Sequence, residues 1–279
     1  MLDYASGRRE HVSVPWPSCM KASMLWHGAM AVGLVADPAH FAWWAGGVAT
    51  NHLALSAASM LPRSALLGPN ITRLSTHARE RNQVCLTFDD GPDPFVTPQV
   101  LDLLENAGAY ASFFCVGERL ERFPQLARRI IELGHTIENH TQTHSHRFAL
   151  RGTQGLLTEI RNAQISAWNV TGTRPSFFRA PAGMRNPWLQ PVLAHLGLRL
   201  VSWTRRGFDT VHVKPEPVFK RLAHNLAGGD ILLLHDGHGA RMRSAQPVIL
   251  QVLPALLARL DALSLRSVPL NTAFDESPV

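Results

Sequence analysis

The amino-acid sequence predicts an α/β fold, a distorted (β/α) barrel of about seven parallel strands preceded by an N-terminal apolar helical pair. From Arg81 onward, short β-rich runs alternate with amphipathic helical segments, the order that gives parallel strands covered by helices. Four of the six helical segments open with proline, whose fixed φ suits the first turn of a helix. Polar and titratable residues follow the strand candidates, and in a β/α barrel such strand ends converge on one face. With 279 residues the chain can fill one barrel-sized domain and still carry an extension. The division expected is an extension over 1–80 and a catalytic barrel over 81–279.

In chain order, the extension comes first. Ala22 to Ala36 and Pro38 to Pro62 contain no Asp, Glu, Lys or Arg, and Asp37 separates them. The second stretch exceeds the ~20 residues that span a bilayer, although His40, Asn51 and His52 dilute it. A membrane hairpin over residues 22–62 is the expectation; a helical pair packed on the barrel and the apolar core of a signal peptide are the alternatives. Arg8, Arg9 and Lys21 precede the pair, and Arg63, Arg73, Arg79 and Arg81 follow it. By the positive-inside tendency both flanks, and the barrel with them, face the cytoplasm. A soluble cytoplasmic protein is the alternative.

The strand candidates are Gln83 to Phe88, Ala111 to Val116, His135 to Glu138, Ser176 to Phe178, Arg199 to Trp203, Asp230 to Leu234 and Arg266 to Leu270. The helical segments between them are Thr97 to Asn106, Pro124 to Leu133, Gly155 to Trp168, Pro187 to Leu196, Pro215 to Leu226 and Pro247 to Leu260. A hydrophobic fraction of 46% supplies a large core. Cys19, Cys85 and Cys115 are too few and too irregular for a disulfide framework or a thiolate metal site. The net charge of +6 is a basic excess, but no Lys/Arg run interleaved with aromatics marks a nucleic-acid partner, and none is expected.

The residues at the strand ends carry the chemistry. Asp89 and Asp90 are adjacent, so their side chains point in different directions; one can bind a metal while the other moves a proton. An isolated Asp-Asp-Gly-Pro is also a good turn, and only the other motifs argue beyond that. His140 and His144 are four apart, as one helical turn requires to bring both imidazoles to one side. With Asp90 they would offer two nitrogens and one oxygen to a divalent ion, leaving positions for water and substrate. His146 is a third histidine candidate for the set, with a solvated or supporting place outside it as the expectation. Arg179 follows a strand and can hold the Asp89 carboxylate with its rigid fork. His235 ends another strand and can act as a general acid, with Asp209 fixing its tautomer.

Taken in order, these motifs resemble the polysaccharide deacetylase family, also called the NodB homology domain or carbohydrate esterase family four, over roughly Gln83 to Leu270. Thr87-Phe88-Asp89-Asp90-Gly91-Pro92 and His140-Thr141-Gln142-Thr143-His144 match its first two motifs fully. Arg179-Ala180-Pro181-Ala182-Gly183 matches the third, Arg-x-Pro-Tyr-Gly, with alanine in place of tyrosine. Arg206-Gly207-Phe208-Asp209-Thr210 keeps only the second Asp of Asp-x-x-Asp-Trp, and Leu233-Leu234-His235 matches the fifth motif.

The resemblance implies a metal-dependent hydrolase that removes N-acetyl groups from amino sugars of a poly-, oligo- or lipid-linked saccharide. Asp90, His140 and His144 would hold one divalent ion, zinc first, with cobalt, nickel or iron open to the same donors. Asp89 would be the base, His235 the acid, Arg179 the partner of Asp89 and Asp209 the partner of His235. The Ala182 N–H would meet the oxyanion and Leu233 the acetyl methyl. Arg185, Arg205 and Arg206 can meet phosphate on an anionic glycan or glycolipid. Two other functions fit parts of the pattern. A non-haem iron oxygenase uses the same two-His, one-carboxylate set, and a catalytically inactive glycan-binding barrel would keep the motifs without turnover.

Overall fold

A computed structural model describes residues 16–275, so Arg8 and Arg9 of the basic N-terminal flank lie outside the described residues. The helical pair is present as α1 (Ser18–Ala36) and α2 (Phe41–Met60), joined by a single 3-10 turn at Pro38–His40. The helices meet where side chains are small: the Trp44 ring lies on Gly33 and the Met30 thioether on Gly47, where an added Cβ would collide. Polar groups pair across the contact, with Asn51 Nδ2 donating to Ser23 Oγ at 2.7 Å and His27 Nε2 3.2 Å from His52 Nε2. Most of the apolar surface faces outward, including Leu25, Val32, Val35, Trp43 and Leu53. Among the described residues, α1 alone is long and apolar enough to cross a membrane, with a mean hydropathy of 1.2. Both ends of the pair touch the barrel: Trp16 packs edge-on against Trp188, and the Arg185 N–H donates to the Ser59 carbonyl.

The barrel strands are β1 (Gln83–Asp89), β2 (Ala111–Cys115), β3 (Thr136–Asn139), β4 (Phe177–Phe178), β5 (Arg199–Leu200), β6 (Arg205–Arg206), β7 (Ile231–His235) and β8 (Arg266–Ser267). The path β5-β4-β3-β2-β1-β7-β6 has seven strands, and every pairing is parallel. One difference from the expected set lies at its end. The last candidate, Arg266 to Leu270, is not a barrel strand in its own right: β8 pairs only with the start of β1, and after Pro269 the chain turns into α11 (Leu270–Phe274). The seventh place belongs to β6, whose two residues are too few to give a periodic signal. The stretch 199–206 pairs with β4 at one end and β7 at the other, so a single bent segment joins the two edges of the curled sheet.

Helices α4 (Thr97–Asn106), α6 (Pro124–Glu132), α7 (Thr153–Thr171), α8 (Leu189–His195), α9 (Pro215–Ala223) and α10 (Ile249–Ala262) occupy the six expected segments. Two short ones, α3 (Thr76–Glu80) and α5 (Gly117–Arg122), add to them. The two-residue period of β1 divides its side chains. Val84, Leu86 and Phe88 pack outward against α4 and α10 through Val100, Leu104, Val252 and Leu256. Cys85 joins Phe114, Phe177, Val201 and Ile231 in a second cluster that also takes in Leu74 and Ala78 from before β1. Thr87 and Asp89 follow Cys85 on that inner side, and the functional chemistry is built there.

Candidate active site

Parallel register sets the site's frame. Asp89 lies opposite Phe114 of β2 and opposite His235 of β7, so the ends of three neighbouring strands coincide. Asn139 closes β3 opposite Phe178 of β4, which delivers His140 and Arg179 to the same rim. Asp90 then adopts φ 72°, turning the chain out of the strand and swinging its carboxylate away from that of Asp89. The turn is tightly enclosed, since a Cβ on Gly91 would meet the Asp236 carboxylate and one on Gly237 the Asp90 carbonyl.

Asp90, His140 and His144 offer one ligand atom each, all within 4.8 Å of one another. Asp90 Oδ1 lies 3.2 Å from His140 Nε2 and 2.9 Å from His144 Nε2. The His140 Nδ1–H donates to the Arg179 carbonyl at 2.8 Å, which leaves Nε2 as the nitrogen with a free lone pair. Burial opposes the charge on Asp90, yet its bonds to His140 and His144 hold its carboxyl far below the usual carboxylate range. The donor set is therefore one a divalent ion fits: a carboxylate that stays ionised and two imidazole nitrogens turned to the same point. The helical turn expected for His140 and His144 is not how they meet. Residues 140–147 form an irregular loop with positive φ at Thr141 and His144, and the two rings come to 4.9 Å by that route. Thr141 Oγ1 accepts the His144 N–H, and Glu159 on α7 accepts from Thr143, replacing the hydrogen bonds a helix would have supplied.

Arg179 is completely enclosed. Its Nη1 donates to Asp89 Oδ1 at 2.6 Å and to Thr87 Oγ1, its Nη2 and Nε donate to the Ser202 and Val201 carbonyls, and its guanidinium lies 4.0 Å from the Phe114 ring centre. A buried charge is tolerated only with such complete pairing. Asp209 is equally buried and binds His235 twice, accepting from its backbone N–H and from Nδ1, each at 2.8 Å. Burial works against a charged His235, but Asp209 outweighs it with help from Asp89 and Asp90, and the ring is pushed up to about 9.

Asp89, Asp90, His140, His144, Ala182, Leu233 and His235 line one cavity of about 900 Å³, with Arg179 and Asp209 behind its wall. All nine residues given catalytic, oxyanion or metal roles from the sequence are thus in one place. Arg185 and Arg205, expected to meet phosphate on the substrate, do not line the cavity: Arg185 is buried and donates to the Ser64 carbonyl, and Arg205 is paired with Asp230 and with the His224 and Asn225 carbonyls. Ala182 has φ 54°, and neither hydrogen bond of its turn, donated by Gly183 and by Met184, uses its N–H. His146 lines the cavity but stands outside the donor group. Trp203, Arg119 and His238 also line the cavity, and no sequence motif marks them. Arg206 and Thr210 occupy the first and last positions of the degraded fourth motif. The Arg206 guanidinium lies 5.3 Å from the Trp203 ring centre and 4.7 Å from that of Phe208, so a cation between aromatic faces stands at the first motif position. Pro62, just beyond α2, packs with Trp203 against Gly183, so the end of the helical pair helps shape the cavity.

A barrel with these strand ends defines a class, the hydrolases that deacetylate carbohydrate, and comparison with known proteins agrees. The sequence profile for polysaccharide deacetylase matches residues 76–201. A peptidoglycan-N-acetylglucosamine deacetylase of Bacillus cereus is 34% identical over 177 residues, covering 62% of this chain and 81% of that protein. A chitooligosaccharide deacetylase of Azorhizobium caulinodans is 33% identical over 160 residues, 57% of this chain and 76% of that protein. The solved family 4 carbohydrate esterase from Streptomyces lividans, in complex with acetate, aligns at a TM-score of 0.60 and 29% identity over 66% of this chain and 91% of that one. The chain belongs to the polysaccharide deacetylase family, and is a carbohydrate N-deacetylase. The profile match ends before Asp209 and His235, so the geometry carries those two residues.

Proposed function

We propose that the chain binds one divalent ion on Asp90, His140 and His144 and removes N-acetyl groups from amino sugars of an anionic glycan held near a membrane. The convergence of three donor atoms within 4.8 Å carries the metal reading. When bound, the ion would supply Lewis acidity to the acetamide oxygen and to a water molecule. Zinc suits the two-nitrogen, one-oxygen set, as do cobalt, nickel and iron.

Asp89 takes the proton of the attacking water. One of its oxygens is committed to Arg179, and the other faces His140 Nε2 at 3.9 Å, beside the donor group. The Ala182 N–H donates to the oxyanion that forms as the water oxygen bonds to the acetyl carbon; a contact of this kind is worth ~3–4 kcal/mol in other enzymes. Leu233 packs against the acetyl methyl. His235, whose Nδ1 is committed to Asp209, delivers a proton from Nε2 to the amine as the C–N bond breaks. Acetate and a free amino sugar result. The reading is tested by acetate release from N-acetylated peptidoglycan fragments and chitooligosaccharides under anaerobic conditions, with the metal removed and restored. Metal-dependent release supports it; sugar binding without release would point to an inactive glycan-binding barrel, and oxygen consumption to an oxygenase.

The acid has a pH signature. His235 is raised to about 9, so its protonated, proton-donating form persists below that value and is lost above it. A bound divalent ion would pull the value down, making about 9 the upper bound for the alkaline limb of kcat/KM. Asp209→Asn removes the largest of the raising interactions and keeps the burial that opposes charge, with Asp89 and Asp90 still in place. The limb is then expected to move to lower pH, and a pH–rate profile with an unmoved limb would remove His235 as the acid.

For the extension of residues 1–80, α1 is 19 residues long, or about 28 Å at ~1.5 Å per residue, close to the ~30 Å hydrocarbon thickness. The pair leaves the barrel at Trp16 and returns to it at Ser59, which puts Asp37 and His40 at its far end. Inserted as a hairpin over residues 22–62, it would hold residues 81–279 at the cytoplasmic surface, where Arg206 can meet a phosphate or carboxylate on the substrate. Deleting residues 1–56, which retains Ala58 and Pro62, is expected to move the protein from the membrane to the soluble fraction and to spare activity on short acetylated oligosaccharides. Sedimentation of the full-length protein with the soluble fraction, without detergent, would remove the membrane assignment.

A further inference from the structure

Outside the five motifs, His238 and Arg119 meet at the edge of the donor group. Arg119 sits on α5 and reaches His238 with Nη2 3.0 Å from Nε2. Guanidinium has donors only, so His238 Nε2 must accept and its ring proton lies on Nδ1. That nitrogen faces Asp90 Oδ2 at 3.5 Å, on the oxygen opposite the one turned to His140 and His144. The approach is imposed by the chain, because glycine at 237 lets the backbone run directly against the Asp90 carbonyl and His238 follows with φ 52°. Its ring ends 6.0 Å from that of His144. Both oxygens of Asp90 are therefore addressed, one by the ligand histidines and one by a histidine whose tautomer is fixed by an arginine.

We infer that Arg119 and His238 form a relay that orients the Asp90 carboxylate for the divalent ion, with His238 a positioning residue rather than a ligand. The inference rests on the metal reading above. A carboxylate bound through one oxygen rotates freely about its terminal torsion unless the other oxygen is held, and loss of such an outer partner typically lowers metal affinity ~10–100-fold. The neutral Nδ1–H tautomer suits this role because it turns a donor towards Asp90 Oδ2, 3.5 Å away, without adding a positive charge beside a cation. His238 is largely exposed, with a side chain 58% accessible, so substituting it leaves the core untouched.

The test titrates metal-free protein with zinc against a chromophoric chelator, without substrate. Wild type is expected to bind one equivalent and His238→Ala to bind ~10–100-fold more weakly. His238→Asn, whose side-chain N–H stands close to the position of Nδ1, should return to within a few-fold of wild type. Arg119→Met should weaken binding when His238 is present and have no further effect on His238→Asn, because an amide needs no partner to fix its donor. Wild-type affinity in His238→Ala overturns the relay alone. Equal weakening by Ala and Asn overturns the positioning role in favour of direct ligation by the ring. Wild-type protein that binds no ion overturns the metal reading and the relay together.

Discussion

Asp89→Asn is expected to retain one bound divalent ion and to lose turnover by ~10²–10⁴-fold, the usual contribution of a positioned general base. The separation follows from how the two oxygens of Asp89 are used. Asn can keep its carbonyl oxygen towards Arg179 Nη1, which donates at 2.6 Å, so its amide nitrogen takes the place of the oxygen facing the donor group. An N–H there cannot accept a proton from water, while Asp90, His140 and His144 are unchanged. The substitution also removes the negative charge paired with a fully buried guanidinium, and breaking such a pair costs ~3–5 kcal/mol when one partner is removed. The Thr87 hydroxyl and the Ser202 and Val201 carbonyls still accept from Arg179, so the loss should fall at or below the lower end of that range. Metal content, melting temperature and kcat measured on the same preparation distinguish these effects. Activity within a few-fold of wild type, with the fold and metal intact, would remove Asp89 as the base.

Much of this site is written contiguously in the sequence, and the reason is geometric. In a parallel sheet each strand ends at the same rim, so residues placed just after Phe88, Asn139, Phe178 and Leu234 must share one neighbourhood once the strands pair. Charge pairing adds to this: Arg179 directly follows the apolar pair Phe177-Phe178, where an unpaired charge would be costly, so it implied a partner. Less was legible where the chain's path is irregular. His140 and His144 meet through an irregular loop with left-handed residues at Thr141 and His144, a geometry that i,i+4 spacing mimics without causing. β6 has no periodicity to detect, and β8 mimics a barrel strand although it pairs only with the start of β1. His238 carries no local mark. Its importance arises only when glycine at 237 lets two distant turns touch. The contact of Pro62 with Gly183 is also invisible in sequence, since it joins the apolar extension to the turn at Pro181–Gly183 across more than a hundred residues.

His140→Ala and His144→Ala are each expected to abolish metal-dependent acetate release and to weaken metal binding well beyond the ~10–100-fold typical of an outer partner. Each removes one of three donors, leaving an incomplete set that water must finish. The two variants should nevertheless differ in the metal-free protein. His140 is buried, and its Nδ1–H is bound to the Arg179 carbonyl; truncation strands that carbonyl at a cost of ~1–3 kcal/mol and opens a void beside the Asp89–Arg179 pair. His144 is partly exposed, with a side chain 17% accessible, and its ring makes no comparable backbone bond, so truncation should cost the metal-free fold little. The metal-free melting temperature of His140→Ala is therefore expected to lie several degrees below that of His144→Ala, with activity lost equally in both. Full metal occupancy and turnover in both variants would show that the ion, if one is used, is held elsewhere. Loss of activity in His140→Ala alone would instead make His144 a neighbour of the site, leaving Asp90 and His140 to hold the ion with water.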